Sequence, residues 1–120
     1  MSVSYLIGVD GGGTGTRAKV WPAGTSAPGR PLGQGEAGPS SLSHGVAGAW
    51  RQILQAATLA FAQAGLAVPP WAQCALGAGL AGANAPHQAA EFHAMQPGFA
   101  RLVLDTDSFT ALVGAHGGRH

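Results

Sequence analysis

Residues 8–20 read GVDGGGTGTRAKV, and this stretch decides how the rest of the chain is interpreted. An apolar run ending at Val9 leads into Asp10, and three glycines follow directly. Consecutive glycines lose much conformational entropy on folding, so they are expected where the backbone approaches another group closely. Glycine N–H groups with no Cβ beside them can surround an anion. The stretch therefore predicts a phosphate-binding loop beside a carboxylate, with a plain tight hairpin as the alternative.

The residues on both sides of the glycines have strand patterns. Tyr5 to Val9 is typical of a buried strand, and residues 16–21 alternate polar and apolar side chains as a half-buried strand does. The glycines then connect two strands as a hairpin. A Walker loop requires Gly-Lys-Ser/Thr before a helix, and the sequence has no such tripeptide. A dinucleotide-binding fingerprint must open a helix, so the strand that follows disfavours it.

The composition indicates one folded domain. The 120 residues are 46% hydrophobic and 9% charged with a net charge of +1, whereas disorder needs a polar, highly charged chain. The small charge gives no indication of nucleic acid or of an anionic membrane as a partner. A single cysteine, Cys74, excludes an internal disulfide and fits a reducing cytoplasm. The five histidines lack metal-ligand spacing, and no secretory signal or membrane-spanning stretch is evident.

Downstream of the hairpin, strands alternate with helices. Residues 32–37 predict a short third strand. Apolar residues then recur at helical spacing over residues 46–64, with Ser43 as the expected N-cap and Gly65 closing the helix. Further strands are predicted over 72–80 and 101–104, and further helices over 86–95 and 108–114. The order βββαβαβα predicts an α/β fold, a mixed sheet with helices packed on it.

The hairpin resembles the first phosphate motif of the actin, Hsp70 and sugar-kinase superfamily. GVDGGGTGTRAKV is most similar to N-acetylglucosamine kinases, bacterial glucosamine kinases and the BadF/BadG/BcrA/BcrD-type ATPases. The resemblance implies a ribonuclease-H-like, actin-like ATPase lobe with ATP and Mg²⁺ as cofactors, and it implies that Asp10 holds the Mg²⁺ through water. The residues that it assigns to the nucleotide are Asp10, Gly11, Gly12, Gly13, Thr14, Gly15 and Thr16.

A second resemblance lies in residues 102–116, LVLDTDSFTALVGAH. It is similar to the segment that carries the general base in these sugar kinases, and it implies that Asp107 is that base. Such a carboxylate accepts the proton of the sugar hydroxyl that attacks the γ-phosphorus. Asp107 is also the expected N-cap of the following helix, and the two roles are compatible. The sequence leaves the role of Asp105 open.

Two short stretches resemble substrate segments of the same family. The serine loop, residues 38–41, is similar to a sugar-contacting loop, although Ser41 stands where asparagine is frequent. Residues 77–82, GAGLAG, resemble a strand end that borders the cleft, or simply a strand of small residues packed beneath a helix. The resemblance implies substrate contacts at Ser41, Gly82 and Asp107.

These resemblances predict an ATP-dependent kinase that phosphorylates glucosamine or N-acetylglucosamine at the 6-hydroxyl. The alternatives are an activator ATPase of a radical acyl-CoA dehydratase or reductase, and a non-enzymatic sugar-sensing module of the same fold. The match covers residues 1–120 as an N-terminal nucleotide- and sugar-binding lobe without the second lobe. We therefore expect the second lobe of the same protein as a partner, an amino sugar as substrate, little activity from this lobe alone and a cytoplasmic location. A homodimer is compatible with the family.

Overall fold

The computed structural model describes residues 3–24 and 29–116. They form a five-stranded sheet with the strand order β3-β2-β1-β4-β5, together with three α-helices. The elements are β1 (Tyr5–Gly11), β2 (Thr16–Pro22), β3 (Gly33–Ala37), α1 (Val46–Gln63), β4 (Cys74–Leu80), α2 (Pro86–Ala94), β5 (Arg101–Asp105) and α3 (Ser108–His116). The predicted element order and the mixed α/β class are confirmed.

The sheet combines an antiparallel meander with two parallel pairs. β1 pairs antiparallel with β2, as the hairpin prediction requires, and β2 pairs antiparallel with β3. On its other side β1 runs parallel to β4, which runs parallel to β5. The carboxyl ends of β1, β4 and β5 therefore meet at one edge of the sheet, where open α/β sheets bind their ligands.

Helix α1 covers one face of the sheet and closes the larger core. Glycines in β3 let the helix approach, because an added Cβ at Gly33 or Gly35 would collide with the α1 main chain at Ala60 or Ala56. Glycine in this strand is thus a packing requirement. The largest fully buried side chains of the core are Ile7, Val9, Val20, Leu42, Ile53, Phe61, Leu76, Leu80 and Phe92.

Helix α3 covers the opposite face over β1 and β4. Leu112 and Ala115 of the helix join Leu6, Trp21 and Ala75 in a second, smaller core cluster. All seven residues of β4 are buried. An added Cβ in the middle of this strand, at position 77, would collide with the α3 main chain. The interpretation of residues 77–82 as a strand of small residues packed beneath a helix is confirmed at Gly77 and Gly79, while Ala81 and Gly82 lie in the turn after β4.

The start of α1 differs from the prediction. Ser43 was the expected N-cap, but Gly45 holds that position with a φ of 118°. Ser43 instead lies in a 3₁₀ turn at Leu42–His44, and its hydroxyl lies 2.8 Å from the hydroxyl of Ser41. Because of this turn α1 begins only after Gly45, and glycine has no side chain that could cap the helix. The end of α1 is as predicted, with Gly65 following at a φ of 75°.

Two further boundaries shift by two residues. β4 begins at Cys74 instead of residue 72, because Trp71–Gln73 form a 3₁₀ turn after two prolines. α3 continues to His116. Cys74 is fully buried, and burial raises the pKa of its thiol to about 11. Among the helices of the described residues, none combines the length and apolar character needed to cross a bilayer.

Candidate functional site

The glycine loop, residues 11–15, joins β1 to β2 at the carboxyl edge of the sheet. Gly12 and Gly13 both lie outside the left-handed region of φ. An added Cβ at Gly13 would meet no atom within 4 Å, and one at Gly12 would meet only the Ala81 Cβ at 3.8 Å. Within the described residues, neither backbone conformation nor packing requires glycine here. Glycine at these two positions leaves that side of the main chain open to an external group.

Three hydrogen bonds between main-chain groups tie the glycine loop to two other segments that the sequence singles out. The Ser40 N–H donates to the Gly12 carbonyl at 3.0 Å, and the Ala81 N–H donates to the Gly11 carbonyl at 3.1 Å. The Leu42 N–H closes the set by donating to the Ala81 carbonyl at 3.0 Å. The glycine loop, the serine loop and the turn after β4 therefore form one connected unit.

Asp10 lies on the face of the sheet that α3 covers. It stands opposite Arg17 of β2 and Gly79 of β4, and Gly79 stands opposite Asp105 of β5. Side chains directly opposite one another share a face, so the carboxylates of Asp10 and Asp105 lie on the same face. Two strand spacings place their Cα atoms roughly 10 Å apart. The first turn of α3 fits between them, since a Cβ at Gly79 would collide with the main chain of Ser108.

Asp107 caps α3. Its Oδ1 accepts hydrogen bonds from the N–H groups of Phe109 at 2.8 Å and Thr110 at 3.2 Å. The expected N-cap role is thereby confirmed. The described residues donate no hydrogen bond to Oδ2, and the side chain is exposed. One oxygen is fixed by the helix while the other is open to a ligand.

Asp105 forms the turn that leads to this cap. Its Oδ1 accepts the N–H of Thr106 at 2.6 Å and the N–H of Asp107 at 3.4 Å. β5 ends at Asp105, so the chain turns before Asp107 and the two acids do not follow one another along a strand. The structure thus gives Asp105 a contact that orients the residue predicted as the base.

Two adjoining clefts open on the Asp10 side of the sheet. One of about 270 Å³ runs between β1, β2 and the first turn of α3, and its lining includes Asp10, Arg17, Lys19 and Phe109. The other, of about 340 Å³, borders the glycine loop at Thr14 and Gly15 and is also lined by Asp10 and Arg17. Arg17 and Lys19 were not singled out from the sequence. The signal was available, because they alternate with buried residues on the strand paired with Asp10.

The charged groups at the clefts are available to a ligand. The Arg17 Nε lies 3.5 Å from Oε2 of Glu36, but both side chains are exposed, and such pairs contribute little. Asp10 has no hydrogen bond or ion pair with any residue that the structure describes. No group of three or more potential metal ligands occurs in residues 3–24 and 29–116. A lone carboxylate fits Mg²⁺, which usually keeps several waters and takes its other ligands from substrate phosphates.

The sequence is similar to two proteins named as sugar kinases. No family model matches the sequence. Glucosamine kinase GspK of Vibrio cholerae is 33% identical over 114 residues, which cover 95% of this chain and 37% of that protein. The crystal structure of a candidate N-acetylglucosamine kinase from Chromobacterium violaceum matches with a TM-score of 0.82 and 49% identity, over 99% of this chain and 40% of the other. Over nearly its whole length this chain is thus similar to a part of two proteins named as sugar kinases.

The chain spans about two fifths of the length of these sugar kinases. These two matches confirm the resemblance to glucosamine and N-acetylglucosamine kinases that the Asp10 hairpin carries. The match to a sugar kinase over nearly the whole chain also confirms the actin-like ATPase lobe as the fold.

Two of the three predicted substrate residues, Ser41 and Gly82, lie at the junction of the serine loop and the turn after β4, whereas Asp107 lies apart from them at the start of α3. Ser41 is 6% exposed, and its hydroxyl pairs with that of Ser43. Gly82 has a φ of 90°, and an added Cβ would lie 3.2 Å from the Leu42 Cβ. Thr16, predicted to bind the nucleotide, is buried at 4% exposure, and its hydroxyl contacts the serine loop.

Proposed function

We propose that this chain is the lobe of a sugar kinase that binds the phosphates of ATP and the acceptor, and that the complete protein phosphorylates glucosamine or N-acetylglucosamine at the 6-hydroxyl. The observation that carries the proposal is the open space beside Gly12 and Gly13 next to the unpaired carboxylate of Asp10. The Gly12 N–H already donates to the Gly15 carbonyl at 3.1 Å, which leaves the Gly13 N–H for a ligand. An approaching anion is what such glycines admit. The names of the two relatives support the sugar-kinase class.

In this proposal the glycine loop and its neighbours bind the polyphosphate. Main-chain N–H groups of the loop and the exposed Thr14 hydroxyl donate hydrogen bonds to phosphate oxygens, and Arg17 and Lys19 add positive charge. Asp10 would hold Mg²⁺ through water. The metal, when bound, neutralises charge that develops on the phosphates. Gly11, Gly15 and Thr16 contribute through the main chain.

Asp107 is the proposed general base. Its Oδ2 accepts the proton of the 6-hydroxyl, and its Oδ1 stays bonded to the first turn of α3, which fixes the direction of the carboxylate. Asp105 holds the preceding turn. Ser41 and Gly82 lie where the serine loop meets the turn after β4, and we propose that the sugar binds beside them.

The remaining parts of the proposal concern the whole protein. The relatives are about two and a half times the length of this chain. We propose that a second lobe completes the nucleotide site, so that residues 1–120 alone have little activity. We also propose that the enzyme works in the cytoplasm, where ATP is supplied, and the buried free thiol of Cys74 fits that compartment.

The test is a coupled ADP-release assay on the complete protein with glucosamine, N-acetylglucosamine and glucose. Asparagine can still cap a helix, so Asp107→Asn removes the base and keeps the fold. We expect this variant to lose roughly 10²- to 10⁴-fold in kcat. Asp105→Asn is the matched control, since its amide oxygen can still accept the turn hydrogen bonds, and it should lose much less. Full activity of Asp107→Asn on every sugar would remove Asp107 as the base.

A further inference from the structure

A buried pair of hydroxyl groups lies directly beneath the glycine loop. The Thr16 Oγ1 is 2.6 Å from the Gly38 carbonyl oxygen and 2.6 Å from the Ser40 Oγ. Both side chains are almost completely buried, with Ser40 at 1% exposure. A hydroxyl has a single hydrogen, and a carbonyl can only accept. Thr16 is the donor in both contacts, so its one hydrogen is shared between the Gly38 carbonyl and the Ser40 hydroxyl.

The same pair touches the glycine loop on its other side. An added Cβ at Gly11 would collide with the Ser40 hydroxyl, so the serine side chain occupies the space beneath the first loop glycine. The Ser40 N–H also donates to the Gly12 carbonyl at 3.0 Å. Ser40 thus contacts the glycine loop through its main chain and its side chain together.

The serine loop is in turn anchored to α1. The Gly38 N–H donates to Oε1 of Gln52 at 2.7 Å, while the Gly38 carbonyl accepts from Thr16. The main chain of Gly38 is therefore held through both of its polar groups. Movement of the serine loop would have to break these bonds or carry the glycine loop with it.

We propose that Thr16 and Ser40 are positioning residues that couple the glycine loop to the serine loop, so that the two loops open and close as one unit. The proposal rests on the proposed function in assigning phosphates to one loop and the sugar to the other. Neither hydroxyl touches a reacting atom. Their role is to transmit the ordering of one binding loop to the other, which makes the affinities for nucleotide and sugar depend on each other.

The experiment compares hydrogen exchange and kinetics in the complete protein. Thr16→Val removes the hydroxyl and keeps the shape, Thr16→Ser restores the hydroxyl, and Ser40→Ala removes the partner. Thr58→Val is the matched control, because Thr58 is an exposed residue of α1 without a hydrogen bond to its side chain among the described residues. Exchange is followed by mass spectrometry in peptides over residues 8–20, 33–45 and 99–106.

We expect Thr16→Val and Ser40→Ala to speed exchange roughly 5- to 100-fold in the first two peptides together and to leave residues 99–106 unchanged. Thr16→Ser should restore the wild-type exchange rates, and Thr58→Val should behave as the wild type. In the kinetic arm, KM for ATP and KM for the sugar should rise together, with a smaller change in kcat.

Faster exchange in only one loop, in neither loop or uniformly along the chain would overturn the coupling. The exchange arm uses no ligand, so it decides the inference even if the wild-type protein has no kinase activity. A wild-type protein without kinase activity would refute the proposed function and leave the coupling of the two loops standing.

Discussion

Replacing Gly13 by alanine should separate nucleotide binding from stability. The added Cβ meets no described atom within 4 Å, and Gly13 is outside the left-handed region of φ. The folded state should accommodate the methyl group without strain. Alanine also restricts the unfolded chain, which stabilises a compatible site by about 0.4–1 kcal/mol. The protein should therefore be as stable as the wild type, or slightly more stable.

The affinity for ATP, in contrast, should fall. A methyl group at position 13 occupies the open side of the loop and keeps an anion from the Gly13 N–H. A hydrogen bond to a charged group contributes about 1.5–3 kcal/mol. At 1.4 kcal/mol per factor of ten, affinity for ATP should fall roughly 10- to 150-fold.

Isothermal titration of the complete protein with a non-hydrolysable ATP analogue measures the affinity, and thermal unfolding measures the stability. Gly48→Ala is the matched control, because a Cβ there meets only the flexible end of Arg51 at 3.5 Å on the surface of α1. It should stabilise the helix by up to about 1 kcal/mol and leave the affinity unchanged. Wild-type affinity in Gly13→Ala would refute the reasoning that these glycines exist for an anion.

Two further predictions concern the interior. Gly77→Ala should lower the free energy of unfolding by about 1–3 kcal/mol, because its Cβ collides with the main chain of α3; a urea titration measures this, and an unchanged midpoint would contradict it. The raised pKa of Cys74, about 11, means that the folded state keeps a proton that the unfolded state releases above about 9. Its contribution to stability is complete below that pH and is lost as the pH rises towards 11, so unfolding temperatures should fall more steeply over this range than those of Cys74→Ala.

The secondary structure was largely predictable because its signals are local. Helical spacing identified α1, and alternation identified β2. The prediction of Ser43 as the N-cap was wrong because the preference of serine for this position gives no information about the 3₁₀ turn that precedes the helix. The glycines of β3 weakened the strand prediction, yet they are required by a helix that lies far along the chain.

The site was predictable only where one segment carries it. The glycine loop and Asp10 are contiguous, so a single stretch of sequence predicts a phosphate-binding loop beside a carboxylate. The bond between Thr16 and Ser40 spans 24 residues and has no local signal. The placement of Asp105 level with Asp10 depends on the register of β4 between them, which periodicity does not determine.

The absence of side chains at Gly77 and Gly79 has a consequence for the spacing of the two acids. The main chain of α3 packs directly on the main chain of β4 at these glycines. The height of Asp107 above the sheet is therefore set by bonded geometry and van der Waals radii. Rotamer exchange in the interior cannot alter that height. The distance between Asp10 and Asp107 should accordingly be one of the least temperature-sensitive in the molecule. A single methyl group added to β4 is enough to change it.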